Sequence, residues 1–205
     1  MNDRSYLRLL RDPGFAWMLA SQFLGALNDN IYRWSITFFA LDLARGGQVW
    51  EFAGARMTLD PEVLVATIGA ALMAPYLIFS NYAGQLADRF SKRSVLIATK
   101  SLEIVAMAAA LGAFFVGDIV AMIVVLFFMG AQSALYSPAK YGALPELLPD
   151  RDLSRGNALV EMSTFLAIIV GGVLGGGIYE AFHDRLPAIG LILLGIAVLG
   201  TLCSF

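Results

Sequence analysis

The stretch SVLIATKSLEIVAMAAALGAFFV-GD-IVAMIVVLFFMGAQSALYSP, residues 94–138, decides the fold. On each side of Gly117-Asp118 lies an apolar run long enough to cross a bilayer core, which takes about 20 mostly apolar residues. The joint is two residues long, so the runs predict antiparallel neighbouring helices over 94–116 and 119–138. Outward from this hairpin the same signal recurs at 15–41, 63–82, 157–182 and 186–205. The expected fold class is therefore an all-α membrane protein with six transmembrane helices spread over residues 1–205.

Composition agrees. Hydrophobic residues make up 59% of the 205 residues and charged residues only 15%, against about 25% charged in a typical soluble domain. A soluble fold of this length cannot hide so much apolar surface, whereas a bilayer gives it an apolar exterior. The formal net charge of −2 offers no broad basic surface for nucleic acid. One cysteine, Cys203, and one histidine, His183, exclude a disulfide framework and a Cys/His zinc cluster. No metal, cofactor or catalytic group is expected. The start is polar and carries Arg4, Arg8 and Arg11, and the first apolar run is too long for a cleavable signal.

Lys and Arg set the expected orientation. With the N-terminus cytoplasmic, the inner segments hold Arg4, Arg8, Arg11, Arg89, Lys92, Arg93, Lys140, Arg151 and Arg155. The outer ones hold Arg45, Arg56 and Arg185. That is a positive-inside bias. The second helix should begin at Pro61, where proline fits the first turn, and should kink at Pro75. The segment after Pro138, with Pro145 and Pro149, reads as a surface loop.

Charges inside the apolar runs carry the functional signal, because each costs about 2.5–3.5 kcal/mol at a helix centre on insertion scales. Asp29 and Arg33 lie four apart in the first helix and can pair. They form either a neutralised structural pair or a cavity-lining site for a polar or zwitterionic group. Asn28, Asn30 and Tyr32 beside them favour a wet cavity. Lys100 and Glu103 form a second pair, read as structural, with the lysine stem snorkelling to the inner interface. Glu161 answers Lys100 or Arg155, or lines an inner gate. Glu180 reaches the outer interface. Glycines four apart in the fifth helix, Gly171 with Gly175 and Gly172 with Gly176, predict a flat stripe for a neighbouring helix. Gln132, Tyr136 and Lys140, also four apart, share one face of the fourth helix.

The segment from Gly84 to Arg93, GQLADRFSKR, resembles the signature of the major facilitator superfamily at the loop between its second and third helices. Gly84, Asp88, Arg89, Lys92 and Arg93 match, and Ser91 stands where the second glycine is usual. Asp88 there can form a cytoplasmic latch that must break between conformations. FLGALNDN in the first helix, ALYSPAKYGALPEL from Ala134 to Leu147 and GNALVEMST from Gly156 to Thr164 are similar to the lysophospholipid transporter family of bacterial inner membranes.

The resemblance implies an N-terminal six-helix half of a transporter, built as a 3+3 inverted repeat, with a C-terminal half as partner. It also implies lysophospholipid as the substrate, flipped inward for reacylation by an acyltransferase and acyl carrier protein synthetase, fused or associated. The chain then reads as a fragment of a longer protein. Helices one and four line the path in this superfamily, so by analogy the substrate path takes in Asp29, Asn30, Arg33, Gln132, Tyr136 and Lys140; side-chain chemistry alone, not the resemblance, suggests Arg33 for the phosphate and Asp29 for an amine. Lys100, Glu103 and Glu161 are gate or structural charges. Two other readings stand beside it: a proton-coupled small-molecule exporter with Asp29 as carrier, and a membrane platform for fused enzymes.

Overall fold

The computed structural model describes residues 4–46, 49–52, 55–58 and 60–204. Phe205, the expected end of the last helix, and five residues of the 42–60 segment lie outside the described residues.

A short helix, α1 (Arg4–Leu9), precedes the long α2 (Pro13–Arg45). Asp12 caps α2, accepting from the Phe15 amide at 3.0 Å, and Pro13 occupies the first turn. Two short strands follow, β1 (Val49–Phe52) and β2 (Ala55–Thr58), paired antiparallel. Apart from this ribbon, every described element is helical, in keeping with the all-α expectation. Next come α3 (Pro61–Arg89), α4 (Lys92–Val116), α5 (Ile119–Leu147), α6 (Leu153–Phe182) and α7 (Leu186–Leu202). Single 3-10 turns at Asp150–Asp152 and His183–Arg185 lead into α6 and α7.

The joints follow from their residues. Gly117 ends α4 with φ 69°, a left-handed conformation that an ordinary side chain resists. Asp118 then caps α5 by accepting from the Val120 amide at 2.9 Å. Two residues thus end one helix and start the next.

Two loops expected from the sequence are helical. Residues Gly84 to Arg89 form the end of α3, and Lys92 already opens α4, so only Phe90 and Ser91 make the turn. Ser91 has φ −60° and caps α4 by accepting from the Ser94 amide at 3.2 Å, so this turn needs no second glycine. The segment after Pro138 is a helix as well. It runs through Pro138 and Pro145 to Leu147 and buries Ala139, Lys140, Ala143 and Leu144. A proline survives inside a helix where neighbouring helices and side chains satisfy the freed backbone.

Four stretches of the described residues are long and apolar enough to cross a membrane: Pro61–Arg89, Lys92–Val116, Ile119–Leu147 and Asp150–Leu202, the last holding both α6 and α7. The middle of α2, with Asn28, Asp29, Asn30 and Arg33, keeps that helix below the same standard. It occupies the centre instead. It packs along α6 and also touches α3, α5 and α7, while α3 lies along α5 and α4 lies between α5 and α7. Tyr32 is fully buried, donates to the Met122 carbonyl at 2.9 Å and meets Phe114 edge-on at 5.7 Å. The outside is apolar, with Leu77 at 85% and Val116 at 79% exposure, a surface suited to hydrocarbon rather than water.

The candidate polar cavity

Polar side chains of α2 meet those of α3, α4, α5 and α6 around a cavity of ≈ 100 Å³. Asp29, Lys100, Glu103, Gln132, Tyr136 and Lys140 all line it, so the structure brings together four of the six expected path residues and the Lys100–Glu103 pair.

Asp29 stands on its α2 wall. Its Oδ2 accepts from the Ser133 hydroxyl at 2.7 Å, while Oδ1 is shielded from solvent and has no hydrogen bond. A buried carboxyl oxygen left this way is costly. The expected pairing with Arg33 does not form: no ion pair joins the two among the described residues. Arg33 instead lies over the Trp34 ring, 5.2 Å from its centre, and outside the cavity lining. Four residues bring two side chains to neighbouring positions, and here Asp29 turns toward α5.

Asn30 is also outside the lining. It faces α6, where Gly171 leaves room for its Cβ, and it donates to the Ala26 carbonyl at 2.8 Å.

Lys100 and Glu103 form an ion pair at 2.5 Å, with 2% of each side chain exposed. Lys100 therefore does not snorkel; it points into the bundle. Two glycines make the space. A Cβ on Gly25 would sit 2.7 Å from the Lys100 ammonium, and one on Gly200 would sit 3.2 Å from it. Asn28 donates to Glu103 at 3.3 Å, and the Thr201 hydroxyl donates to the Lys100 carbonyl at 2.9 Å. The pair ties α2, α4 and α7 together.

Lys140 is only 8% exposed and has no carboxylate within ion-pair distance among the described residues. Its ammonium donates to Gln22 Oε1 at 3.2 Å and lies 4.6 Å from the centre of the Tyr141 ring. Gln22 is a hub. Its amide nitrogen donates to the Val160 carbonyl at 3.1 Å and to the Ser163 hydroxyl, and its oxygen also accepts from Thr164 at 3.3 Å. Sequence reasoning passed over Gln22, Ser133 and Tyr76, the last of which lines the cavity from α3. The available signal was spacing, since Gln22 precedes Asp29 by seven residues, about two helical turns on one face.

The remaining positions lie elsewhere. Glu161 accepts from the Tyr141 hydroxyl, and Arg155 pairs with Asp152 at 3.0 Å, so neither Lys100 nor Arg155 is its partner. Gly84 sits near the end of α3, and Asp88 is exposed in its last turn. Arg89 lies over Phe90 at 5.9 Å, Lys92 donates to the Ala87 carbonyl, and Arg93 borders a second, larger cavity.

The cavity thus holds one close ion pair and, apart from it, a carboxyl oxygen without a hydrogen bond and an ammonium that makes no ion pair within 4 Å among the described residues, with Glu161 the acidic group that acts on it from further off. Such a site can hold a ligand bearing both signs of charge.

The sequence profile of the Major Facilitator Superfamily matches residues 18–205. The chain is 32% identical over 169 residues to the Lysophospholipid transporter LplT of Escherichia fergusonii, covering 82% of this chain and 37% of that protein. It is 32% identical over 165 residues to the protein of the same name from Citrobacter koseri, with 80% and 36% covered. For that of Escherichia coli the figures are 32% over 167 residues, with 82% and 37% covered. The chain spans little more than a third of the length of these relatives.

Proposed function

We propose that this chain, which belongs to the major facilitator superfamily, is the N-terminal six-helix half of an alternating-access transporter that moves lysophospholipid across the bacterial inner membrane. The two halves of such a transporter enclose the substrate between them. In this reading α2 to α7 all span the bilayer as a 3+3 inverted repeat, with the N-terminus cytoplasmic. A C-terminal half closes the path. The transported lipid is handed to an acyltransferase and acyl carrier protein synthetase, fused or associated.

The observation that carries the reading is an acidic and a basic side chain on one cavity, neither in a direct ion pair among the described residues. A lysophosphatidylethanolamine headgroup has an anionic phosphate and a cationic amine. Asp29 Oδ1, buried and without a hydrogen bond, suits the amine. Lys140, buried and with no carboxylate in ion-pair contact among the described residues, suits the phosphate. This moves the phosphate role from Arg33, which lies outside the lining, to Lys140. Charge-assisted hydrogen bonds of this kind are the stronger ones. Gln132, Ser133 and Tyr136 supply further polar contacts along α5. The turn from Asp88 to Arg93 serves as the cytoplasmic latch.

The test is uptake of labelled lysophosphatidylethanolamine by proteoliposomes holding the full-length protein that contains this chain. Asp29→Asn and Lys140→Gln should each cut uptake by about tenfold or more, the scale of one lost charge-assisted contact. Arg33→Gln should matter less. Uptake unchanged by Asp29→Asn and Lys140→Gln together would sink the assignment. A proton-gradient dependence with no response to lysophospholipid would favour the exporter reading.

A further inference from the structure

The polar cavity is too small for a whole lysolipid, and a second cavity of ≈ 430 Å³ adjoins it at the end of the bundle where α2 and α4 begin and α5 and α7 end. Tyr136 lines both. Apart from Tyr136 its character is different: Trp17, Met18, Leu96, Ala143 and Leu147 give it largely apolar walls. Two charged residues, Arg93 and Glu146, also border it, and both are exposed. Its size falls in the range of ligand pockets, about 300–1,000 Å³, which are mostly apolar with a few placed polar groups. Trp17 is 60% exposed at its side, and tryptophan favours the level where bilayer meets water.

A polar chamber and a largely apolar one that share Tyr136 as a wall residue match the two parts of an amphiphile with one tail. We infer that the larger cavity is the acyl-tail subsite: the headgroup sits among Asp29, Gln132 and Lys140, and the single chain passes Tyr136 into the apolar chamber. This rests on the lysophospholipid reading above and adds to it where the tail goes. The bordering charges mark the end of the subsite, because an apolar chain gains nothing by passing them. Binding energy comes from contact with the walls rather than from leaving water, since a tail in the bilayer is already in an apolar medium. The subsite therefore acts through fit. It selects for a chain that fills it, not for a chain that is merely longer.

Cys203 is the built-in reporter. It is half-buried and lines this cavity. In the full-length protein, maleimide modification of Cys203 is followed by peptide mass spectrometry. Three conditions are compared: no addition, a long-tailed lysophosphatidylethanolamine, and glycerophosphoethanolamine, which has the headgroup and no tail. The long-tailed lipid should slow modification about tenfold, and the headgroup alone should leave it unchanged. A second measurement uses Leu147→Trp, which fills the chamber from α5. The ratio of long-tailed to short-tailed lysolipid uptake should fall about tenfold, the scale on which an apolar pocket discriminates by size. Asp29-dependent uptake with Cys203 modified equally fast in all three conditions overturns the tail subsite and leaves the transport reading standing. An absence of uptake together with an absence of protection overturns both. If Leu147→Trp fails to fold, the Cys203 measurement on the unaltered protein decides alone.

Discussion

Lys100 and Glu103 show what a buried charge pair does when everything around it is arranged for it. Removing two ions from water is expensive, and their attraction offsets this only with good geometry and further hydrogen bonds. Here the ammonium meets Glu103 at 2.5 Å, Asn28 donates to the same carboxylate, and Gly25 and Gly200 withhold the side chains that would collide with the lysine. Removing one partner leaves the other buried and alone, a loss of about 3–5 kcal/mol. Glu103→Gln should therefore lower the thermal midpoint in detergent sharply. Lys100→Met with Glu103→Leu should recover most of that loss, because no charge is then left unpaired. A double variant as unstable as the single one would show that the network around the pair, not the pair itself, holds α2, α4 and α7. The spacing of this pair was legible in the sequence. Its burial was not, because one helix read alone does not tell which side faces its neighbours. For the same reason Asp29 and Arg33, four apart, read as partners although they turn to different neighbours.

Gln22 makes a second residue-scale case. It uses its amide on both sides, donating toward α6 and accepting from Lys140 and Thr164. Gln22→Leu keeps much of the volume and strips the hydrogen bonds. It should cost about 1–3 kcal/mol for the polar groups left unsatisfied, measured by thermal unfolding. Lysolipid uptake should fall with it, since Lys140 loses its positioning partner. Uptake at the unaltered rate would remove Gln22 from the site and leave it a packing residue.

At the scale of elements, the α2–α6 contact rests on glycine. A Cβ on Gly171 would lie 2.9 Å from the Leu27 carbonyl, and one on Gly175 would lie 2.9 Å from the Ile31 carbonyl. Those neighbours are backbone, so the helices themselves would have to separate. Gly175→Val should destabilise the protein by about 1–3 kcal/mol, the usual cost of overpacking, read as a lower thermal midpoint. Gly177→Ala should be nearly silent, because nothing lies within 4 Å of its added Cβ. Equal effects at the two positions would refute the close approach. The four-residue glycine spacing announced this contact in the sequence. The course of α5 was hidden for the opposite reason. Pro138 reads as a helix end by local chemistry, whereas the bundle around it carries the helix onward to Leu147 and thereby buries Lys140. Tertiary surroundings overrode a local signal, and the override is what places a cation on the cavity wall.

At the scale of the whole molecule, apolar length, short joints and charge asymmetry were enough to read a helical membrane bundle, while the ribbon between α2 and α3 left no signal in those terms. The proposed topology makes a separate prediction. The turn between α3 and α4 and the start of α6 carry Arg89, Lys92, Arg93, Arg151 and Arg155, whereas the joint between α6 and α7 carries His183, Asp184 and Arg185. The positive-inside rule then puts the first two segments in the cytoplasm and the last outside. Asp88 and Asp184 are both exposed and stand at opposite ends of this arrangement. In intact spheroplasts of cells making the full-length protein, Asp184→Cys should react with a membrane-impermeant maleimide. Asp88→Cys should react only after the membrane is opened. The unaltered protein, with Cys203 at the α7 terminus, serves as the second inner-side control. Labelling of Asp88→Cys in intact spheroplasts would invert the molecule, and with it the direction in which the cavity must pass its lipid. Labelling of both new cysteines from outside would mean that α4 to α6 do not cross the bilayer an odd number of times between them, and the six-span arrangement would fall.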